Sequence, residues 1–404
     1  MITGRNIICI ASNWSESPTG KHHIMRRLAR GNRVLWINYH ASRLPRLCWS
    51  DLTRGIRRLR DAARPIQAHA DGPSVKTPLL VPWPSSSVAR AMNAAQLRRL
   101  VRRHLDAAAP RPAQLWLFTP EVPEALDAAT WERTVYCCVD EFDAFAGADA
   151  RLIAELERRT LAGADIVIAT SQPLFESRSR VHPRVHHVPH GVDFDHFARA
   201  RTIPLAEIPA DIIRFPRPVL GYFGLIAEYV DLDLIARVAR ARPKWTFALI
   251  GDVRADRAPL AGLANVHLLG RRDYQSLPAY CAGFDAGIIP FRAGRLTHAV
   301  NPIKLREYLA AGLPVISSPM PAVEPYAPAV QIAANPREFI AAVGRLDTLR
   351  ESPEAQRTFD DVRGEGWDAR VEQLSQIVLG GVYNDSSGAA SAVAAGAGAG
   401  GEAS

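Results

Sequence analysis

The chain has 404 residues, 48% apolar and 22% charged, which is the composition of a soluble globular protein with length enough for two cores. No stretch reaches the roughly 18 uninterrupted apolar residues of a membrane-spanning helix, and no leader-like layout precedes the first apolar run, so a cytoplasmic protein is expected. The net charge of +8 is uneven: residues 1–111 carry 20 Lys+Arg against 5 Asp+Glu, a net of +15, and the remainder is net −7. Cys9, Cys48, Cys137, Cys138 and Cys281 show no metal-ligand spacing, so reduced thiols, no metal and no cofactor are expected.

Apolar runs and helical segments alternate along the chain, the pattern of parallel sheets with right-handed crossovers. In the first half, strands are expected at Ile7–Ala11, Arg33–Asn38, Leu115–Thr119, Val135–Val139, Ile166–Thr170 and Val185–Val188, with helices at Lys21–Arg30, Ala89–Ala107 and Arg151–Ala162. Within this half, residues 43–64 place Leu52, Ile56 and Leu59 at helical spacing among Arg54, Arg57, Arg58 and Arg60. That is a basic amphipathic helix suited to an anionic membrane surface; no nucleic-acid motif accompanies it. The alternative is an Arg-rich solvated face, in a chain that uses Arg far more often than Lys.

A second series follows a proline-rich stretch at 198–216, which reads as a linker. Strands are expected at Val219–Phe223, Thr246–Gly251, His267–Leu269, Ala286–Pro290 and Val315–Ser318, and helices at Asp233–Ala241, Leu277–Ala282, Ile303–Ala311 and Pro336–Leu349. Trp367, Val371, Leu374, Ile377 and Val378 mark a last amphipathic helix, and residues 384–404, nearly all Gly, Ala and Ser, are expected to be disordered. The reading is α/β: an N-terminal domain over 1–197, a linker over 198–216, a C-terminal domain over 217–355, a terminal helix over 356–383 and a tail.

In such sheets ligands bind beyond the carboxyl ends of the strands, so the residues there are the candidates. After the first strand, Ser12 to Lys21 is a polar loop ending at Gly20, Lys21 and His22, suited to an acceptor or a phosphate although it lacks the Walker spacing. Val135–Val139 releases Asp140, Glu141 and Asp143; a carboxylate there can take a proton from an acceptor hydroxyl, or merely cap a helix. In the second half, strands end at Gly224, Gly251 and Gly270-Arg271, and Asn301-Pro302 opens a helix that carries Lys304 and Glu307. Asn suits the N-cap and Pro the first turn; the helix N-terminus attracts anions, Lys304 adds charge for a phosphate, and Glu307 can accept from sugar hydroxyls. The plain alternative is a surface i,i+3 ion pair.

These blocks resemble the GT-B glycosyltransferases, particularly the large retaining family 4 type. The resemblance lies in Pro189-His190-Gly191-Val192-Asp193 with Phe197; in Asn265 to Gly270 with Leu277, Tyr280, Asp285 and Pro290-Phe291; and in Lys304, Glu307, Gly312, Pro314 and Val315. More loosely, Val139-Asp140-Glu141-Phe142 is similar to the exopolysaccharide and teichuronic-acid enzymes. The resemblance implies two Rossmann-like doubly wound domains facing a cleft, with the terminal helix crossing back to the first.

It further implies retaining transfer from a nucleotide sugar, UDP-linked by preference, to a saccharide acceptor; with no metal motif the transfer is expected to be metal-independent, and the basic helix at 43–64 suggests a lipid-linked acceptor at the inner membrane face. Asp140 and Lys304 would be catalytic, with Gly224, Gly251, Arg271, Asn301, Lys304 and Glu307 at the donor. Two departures stand out. Ala299 occupies the position of the family's first glutamate, and the basic pair after the first donor-domain strand is missing from Gly224 to Asp231. They leave open a silent nucleotide-binding protein; a nucleotide-sugar 2-epimerase has the same layout.

Overall fold

The computed structural model describes residues 1–39, 60, 66–67, 72–83, 85–107, 110–327 and 329–380. The basic segment 43–64, apart from Arg60, and the tail 384–404 lie outside the described residues. The first sheet is built from β1 (Asn6–Ala11), β2 (Arg33–Asn38), β3 (Ser74–Lys76), β4 (Ala113–Leu117), β5 (Arg133–Cys138), β6 (Ile166–Ala169) and β7 (Val185–His187), ordered 3-2-1-4-5-6-7. The second holds β8 (Val219–Phe223), β9 (Thr246–Ile250), β10 (Val266–Gly270), β11 (Ala286–Ile289), β12 (Val315–Ser317) and β13 (Val330–Ile332), ordered 10-9-8-11-12-13. Every pairing between these strands is parallel. The central strands are buried on both faces, which is why they read as continuous apolar runs rather than alternating ones.

The crossover helices used below are α1 (Gly20–Ala29), α2 (Ser87–Asp106), α3 (Ala150–Gly163), α4 (Gln172–Ser179), α5 (Phe194–Ala198), α6 (Leu232–Ala241), α7 (Leu277–Ala282), α8 (Arg295–Ala299) and α9 (Ile303–Ala310). Those that were expected lie close to their expected bounds. The expected helix at Pro336–Leu349 is instead two helices, Pro336–Val343 and Leu346–Glu351, parted at Gly344-Arg345. The edge strands β3 and β13 were not foreseen, since three residues are too few to display a period.

Two connections position the cleft. Residues 198–216 pack against the second sheet: Ile208 and Ile212 enter its core, and Arg201 Nε donates to the Ala310 carbonyl at 2.9 Å. The last helix, Trp367–Val378, instead buries Trp367, Val371, Leu374 and Ile377 in the core of the first domain, against Trp36 and Phe118. Each large apolar side chain so buried contributes about 1.5–3 kcal/mol, so the chain end is tied firmly to the opposite domain. In both sheets the order reverses beside the first strand, between β1 and β4 and between β8 and β11, and these are the crevices open to ligands.

Candidate functional site

At the second crevice, β8 delivers Tyr222 and then turns at Gly224, β9 turns at Gly251, and β11 runs into Pro290-Phe291. Gly224 (φ +129°) and Gly251 (φ +146°) hold backbone conformations that L side chains rarely adopt. A Cβ on Gly251 would lie 1.9 Å from the Gly224 carbonyl oxygen, so Gly251 permits two strand ends to touch. Gly224 faces the amine of Lys304, 3.3 Å from where its Cβ would stand.

Lys304 is therefore the side chain that looks onto the glycine turn. Its ammonium sits over the rings of Tyr222 (4.7 Å) and Phe291 (4.9 Å) and makes one long hydrogen bond, 3.4 Å, to the Tyr222 hydroxyl. Burial pushes the amine down to about 8, against the opposing pull of Glu307. Glu307 is itself 7% exposed; burial pushes its carboxyl up to about 8, Lys304 opposes this and Asp193 adds to it. Among the described residues no ion pair joins the two. The alternative of an i,i+3 surface pair is thus not met: Glu307 is buried, Lys304 is covered by two rings, and both keep their bonding capacity for something else.

Asn301 differs from expectation. The helix boundary is Pro302, and no side chain caps it. The Asn301 amide oxygen instead accepts from Arg306 Nη1 at 2.7 Å. Arg306 is 2% exposed and needs acceptors on every side; its Nε donates to Glu365 at 2.6 Å, and Tyr326 and Arg370 complete that carboxylate's shell. Asn301 thus anchors the turn before α9. The Arg271 guanidinium is exposed on the rim and makes no hydrogen bond among the described residues, while its carbonyl accepts from Arg272.

On the facing edge, the three carboxylates after β5 separate sharply. Glu141 is held by Arg178 through two bonds of 2.8 and 3.0 Å, and the same guanidinium binds Glu157 in α3, which also accepts from the Tyr136 hydroxyl. Asp143 pairs with Arg295 of α8, across the domains. Of the three, only Asp140 has a carboxylate without a hydrogen bond or ion pair among the described residues. Burial pushes it up to about 7, Lys21 pulls it down and Glu141 pushes it up again. The capping alternative is ruled out for Asp140 and Asp143: the one-turn segment Phe142–Ala144 has no side-chain cap.

Of the loop residues, Lys21 lies beside Asp140, with its amine on the Ser12 hydroxyl, whose proton goes to Glu16. Gly20 and His22 are corrections. A Cβ on Gly20 would meet His190 and Trp367, so its smallness serves packing rather than phosphate. His22 accepts from the Thr19 amide through Nδ1, closing the start of α1, and lies between the rings of Trp14 and Trp36; burial pushes it down to about 3. Neither role is visible in sequence, because both depend on aromatic or histidine side chains brought in from elsewhere in the chain.

The two edges meet through α8. The Ser171 hydroxyl donates to the Ala299 carbonyl at 2.5 Å, so the position of the family's first glutamate is buried against the first domain. Two sheets of Rossmann order, crevices facing, and a last helix returning to the first domain decide the architecture. The fold is GT-B.

Residues 217–348 match the family described as Glycosyl transferases group 1. Over 254 residues the chain is 28% identical to a protein of Bacillus subtilis (strain 168) named as a candidate teichuronic acid biosynthesis glycosyltransferase, TuaH, covering 57% of this chain and 63% of the relative. The chain thus spans somewhat under two thirds of that relative's length. Among solved structures, sucrose-phosphate synthase from Thermosynechococcus elongatus aligns with a TM-score of 0.67 at 17% identity, over 93% of this chain and 98% of that one. Anabaena HepE in complex with UDP-glucose also gives 0.67, at 14% identity over 93% and 99% of the chains. At such identities the likeness carries the fold.

Sequence reasoning missed Tyr222 and Phe291 as the cradle of Lys304, and Arg178 as the group that disarms Glu141. Phe291 stood at the strand end all along; that its ring would lie over an amine from a later helix had no local signal.

Proposed function

We propose that the protein is a glycosyltransferase that moves a sugar from a nucleoside-diphosphate sugar, UDP-linked by preference, to a saccharide or lipid-linked saccharide in surface polysaccharide synthesis. The observation that carries this reading is the unpaired Lys304 ammonium at the start of α9, aimed at the Gly224 turn beside an unpaired Glu307. An amine held over two ring faces keeps its charge without a counter-ion, and a diphosphate arriving at the helix N-terminus supplies one. Glu307 accepts from the ribose hydroxyls. As the bond between the sugar's anomeric carbon and the phosphate oxygen breaks, Lys304 and the free N–H groups of α9 stabilise the charge gathering on the leaving diphosphate. That stabilisation is supplied by the protein, so transfer is proposed to persist in chelator. Support for UDP and for surface polysaccharide comes from HepE, solved with UDP-glucose, and from the name of the relative TuaH.

Retention is the family 4 expectation, and there the acceptor proton passes to the departing phosphate oxygen. The uncommitted Asp140 favours a second reading, inversion. In that case the acceptor oxygen attacks from the opposite face and its proton goes to Asp140, whose raised pKa suits a base near neutrality. The anomeric configuration of the first-formed product, read by NMR, separates the two.

The basic segment 43–64 is proposed to hold the enzyme on the anionic inner face of a membrane, at about 1 kcal/mol per surface-near Arg. Vesicle flotation of wild type against a variant with Arg54, Arg57, Arg58 and Arg60 neutralised tests it; equal flotation removes the claim. The donor reading is tested by thermal shift with UDP, GDP, ADP and TDP on wild type and Lys304→Ala. A ligand at ~100 times its dissociation constant stabilises by about 2.7 kcal/mol. One nucleotide raising the Tm of wild type alone supports the reading. No response to any of the four overturns the donor site, and with it both the transferase reading and the nucleotide-binding alternative; binding without turnover of the nucleotide sugar would favour the silent protein.

A further inference from the structure

One buried polar group near the donor crevice has nothing to bond to. The Tyr274 hydroxyl, in the turn between β10 and α7, is shielded from solvent and has no hydrogen-bond partner among the described residues. Leaving such a hydroxyl unmet costs about 1–3 kcal/mol, so its persistence asks for a partner that arrives later.

The surroundings hold this side chain in place from several directions. Its ring stacks on His196 at 4.6 Å, 9° from parallel, and meets Phe197 edge-on at 5.7 Å. His196 Nε2 is 3.0 Å from the Tyr274 carbonyl and its Nδ1 accepts from Arg199, so the neutral ring donates through Nε2 and pins the turn. Phe197 in turn stacks on Phe223 (5.9 Å), and Phe223 lies against Tyr308 (4.7 Å), the neighbour of Glu307. The segment Asp193–Phe197 thus wedges the Tyr274 turn against the helix that carries the donor carboxylate. Burial pushes the phenol far up, and the carboxylates of Glu307 and Asp193 push it further, so it stays protonated and able to donate at any working pH.

We propose that Tyr274 is a donor-binding residue whose hydroxyl hydrogen-bonds the nucleoside of the bound nucleoside diphosphate, on the same side as Glu307. This rests on the donor reading. It also accounts for the aromatic wedge at Asp193–Phe197, in which His196 and Phe197 are positioning residues for Tyr274.

The test is Tyr274→Phe, which removes one oxygen and keeps the ring stack. Dissociation constants for UDP, GDP, ADP and TDP are measured by calorimetry on wild type and variant, with the nucleoside of whichever binds, and the unliganded Tm is recorded. Deleting one neutral hydrogen bond corresponds to about a 2–10-fold weaker nucleotide. The same factor is expected for the free nucleoside, with the unliganded Tm equal or higher because an unmet polar group has gone. Lys304→Ala, by contrast, should weaken the diphosphate and spare the nucleoside. If wild type binds a nucleotide and Tyr274→Phe binds it equally well, the inference falls and the donor reading stands. A lowered Tm with unchanged affinity also overturns it, by making the hydroxyl structural. If wild type binds none of the four, the donor reading itself fails and takes this assignment with it.

Discussion

The two crevices share a strand order but treat their charges in opposite ways. Beyond β5 three carboxylates emerge, and two are consumed: Glu141 by the buried Arg178, Asp143 by Arg295 across the cleft. Beyond β8 and β11 the charges on α9 are held apart, Lys304 over aromatic faces and Glu307 without a partner. Committed charges keep loops in place; the uncommitted ones, Asp140 on one side and Lys304 and Glu307 on the other, are where a ligand finds bonding capacity. A carboxylate count alone would have ranked the first crevice above the second.

Breaking the committed side should cost stability most. Arg178→Met leaves Glu141 and Glu157 buried without a counter-charge, and an expected loss of about 3–5 kcal/mol is read by denaturant unfolding. On the uncommitted side, Lys304→Ala should lower kcat/KM by about 10²–10³ with far less change in unliganded stability. A similar stability loss in both variants would erase the contrast.

Asp140→Asn sharpens it further. If transfer inverts, the substitution removes a general base and costs on the order of 10²-fold in kcat; if it retains, kcat changes far less. The folded-state pKa of Asp140 is raised, so the carboxylate costs nothing when protonated in both states and costs most above about 7. The variant's Tm should therefore exceed wild type at pH 8, with the difference vanishing as the pH falls toward 4. Activity and stability moving in opposite directions is the signature; a lower Tm at pH 8 would argue that Asp140 is structural. In wild type, kcat/KM should fall above about pH 8 as Lys304 loses its proton, and under inversion it should also rise through about pH 7 as Asp140 loses its own. Among the committed charges the smallest effect belongs to Arg295→Ala: its guanidinium is exposed and screened by water although Asp143 is largely shielded, so unfolding should change by at most about 1 kcal/mol.

Much of this was legible from the chain. Every expected strand overlaps an observed one; for the central strands this is because both-face burial writes itself as a continuous apolar run, whereas β7 and β10 are only half-buried. Lys304, Glu307 and Asp140 stand at the strand end and helix start where local pattern put them, because that pattern spans only a few consecutive positions. Gly20 and His22 were misassigned because glycine in a loop and histidine at a helix start look alike whether they meet a ligand or a tryptophan. Asn301 looked like a cap, yet the buried Arg306 one turn on claimed its oxygen.

By itself, then, the sequence determined the element order, the two parallel sheets and the shortlist of polar residues at their carboxyl ends, since these follow from periodicity and turn chemistry along a few consecutive positions. Only the tertiary structure decided which of those residues remain free. Whether Glu141 or Asp140 stays uncommitted depends on Arg178, far along the chain, and whether Lys304 pairs with Glu307 depends on rings from β8 and the end of β11. Partners are chosen by packing across the sheet, and no local pattern encodes them.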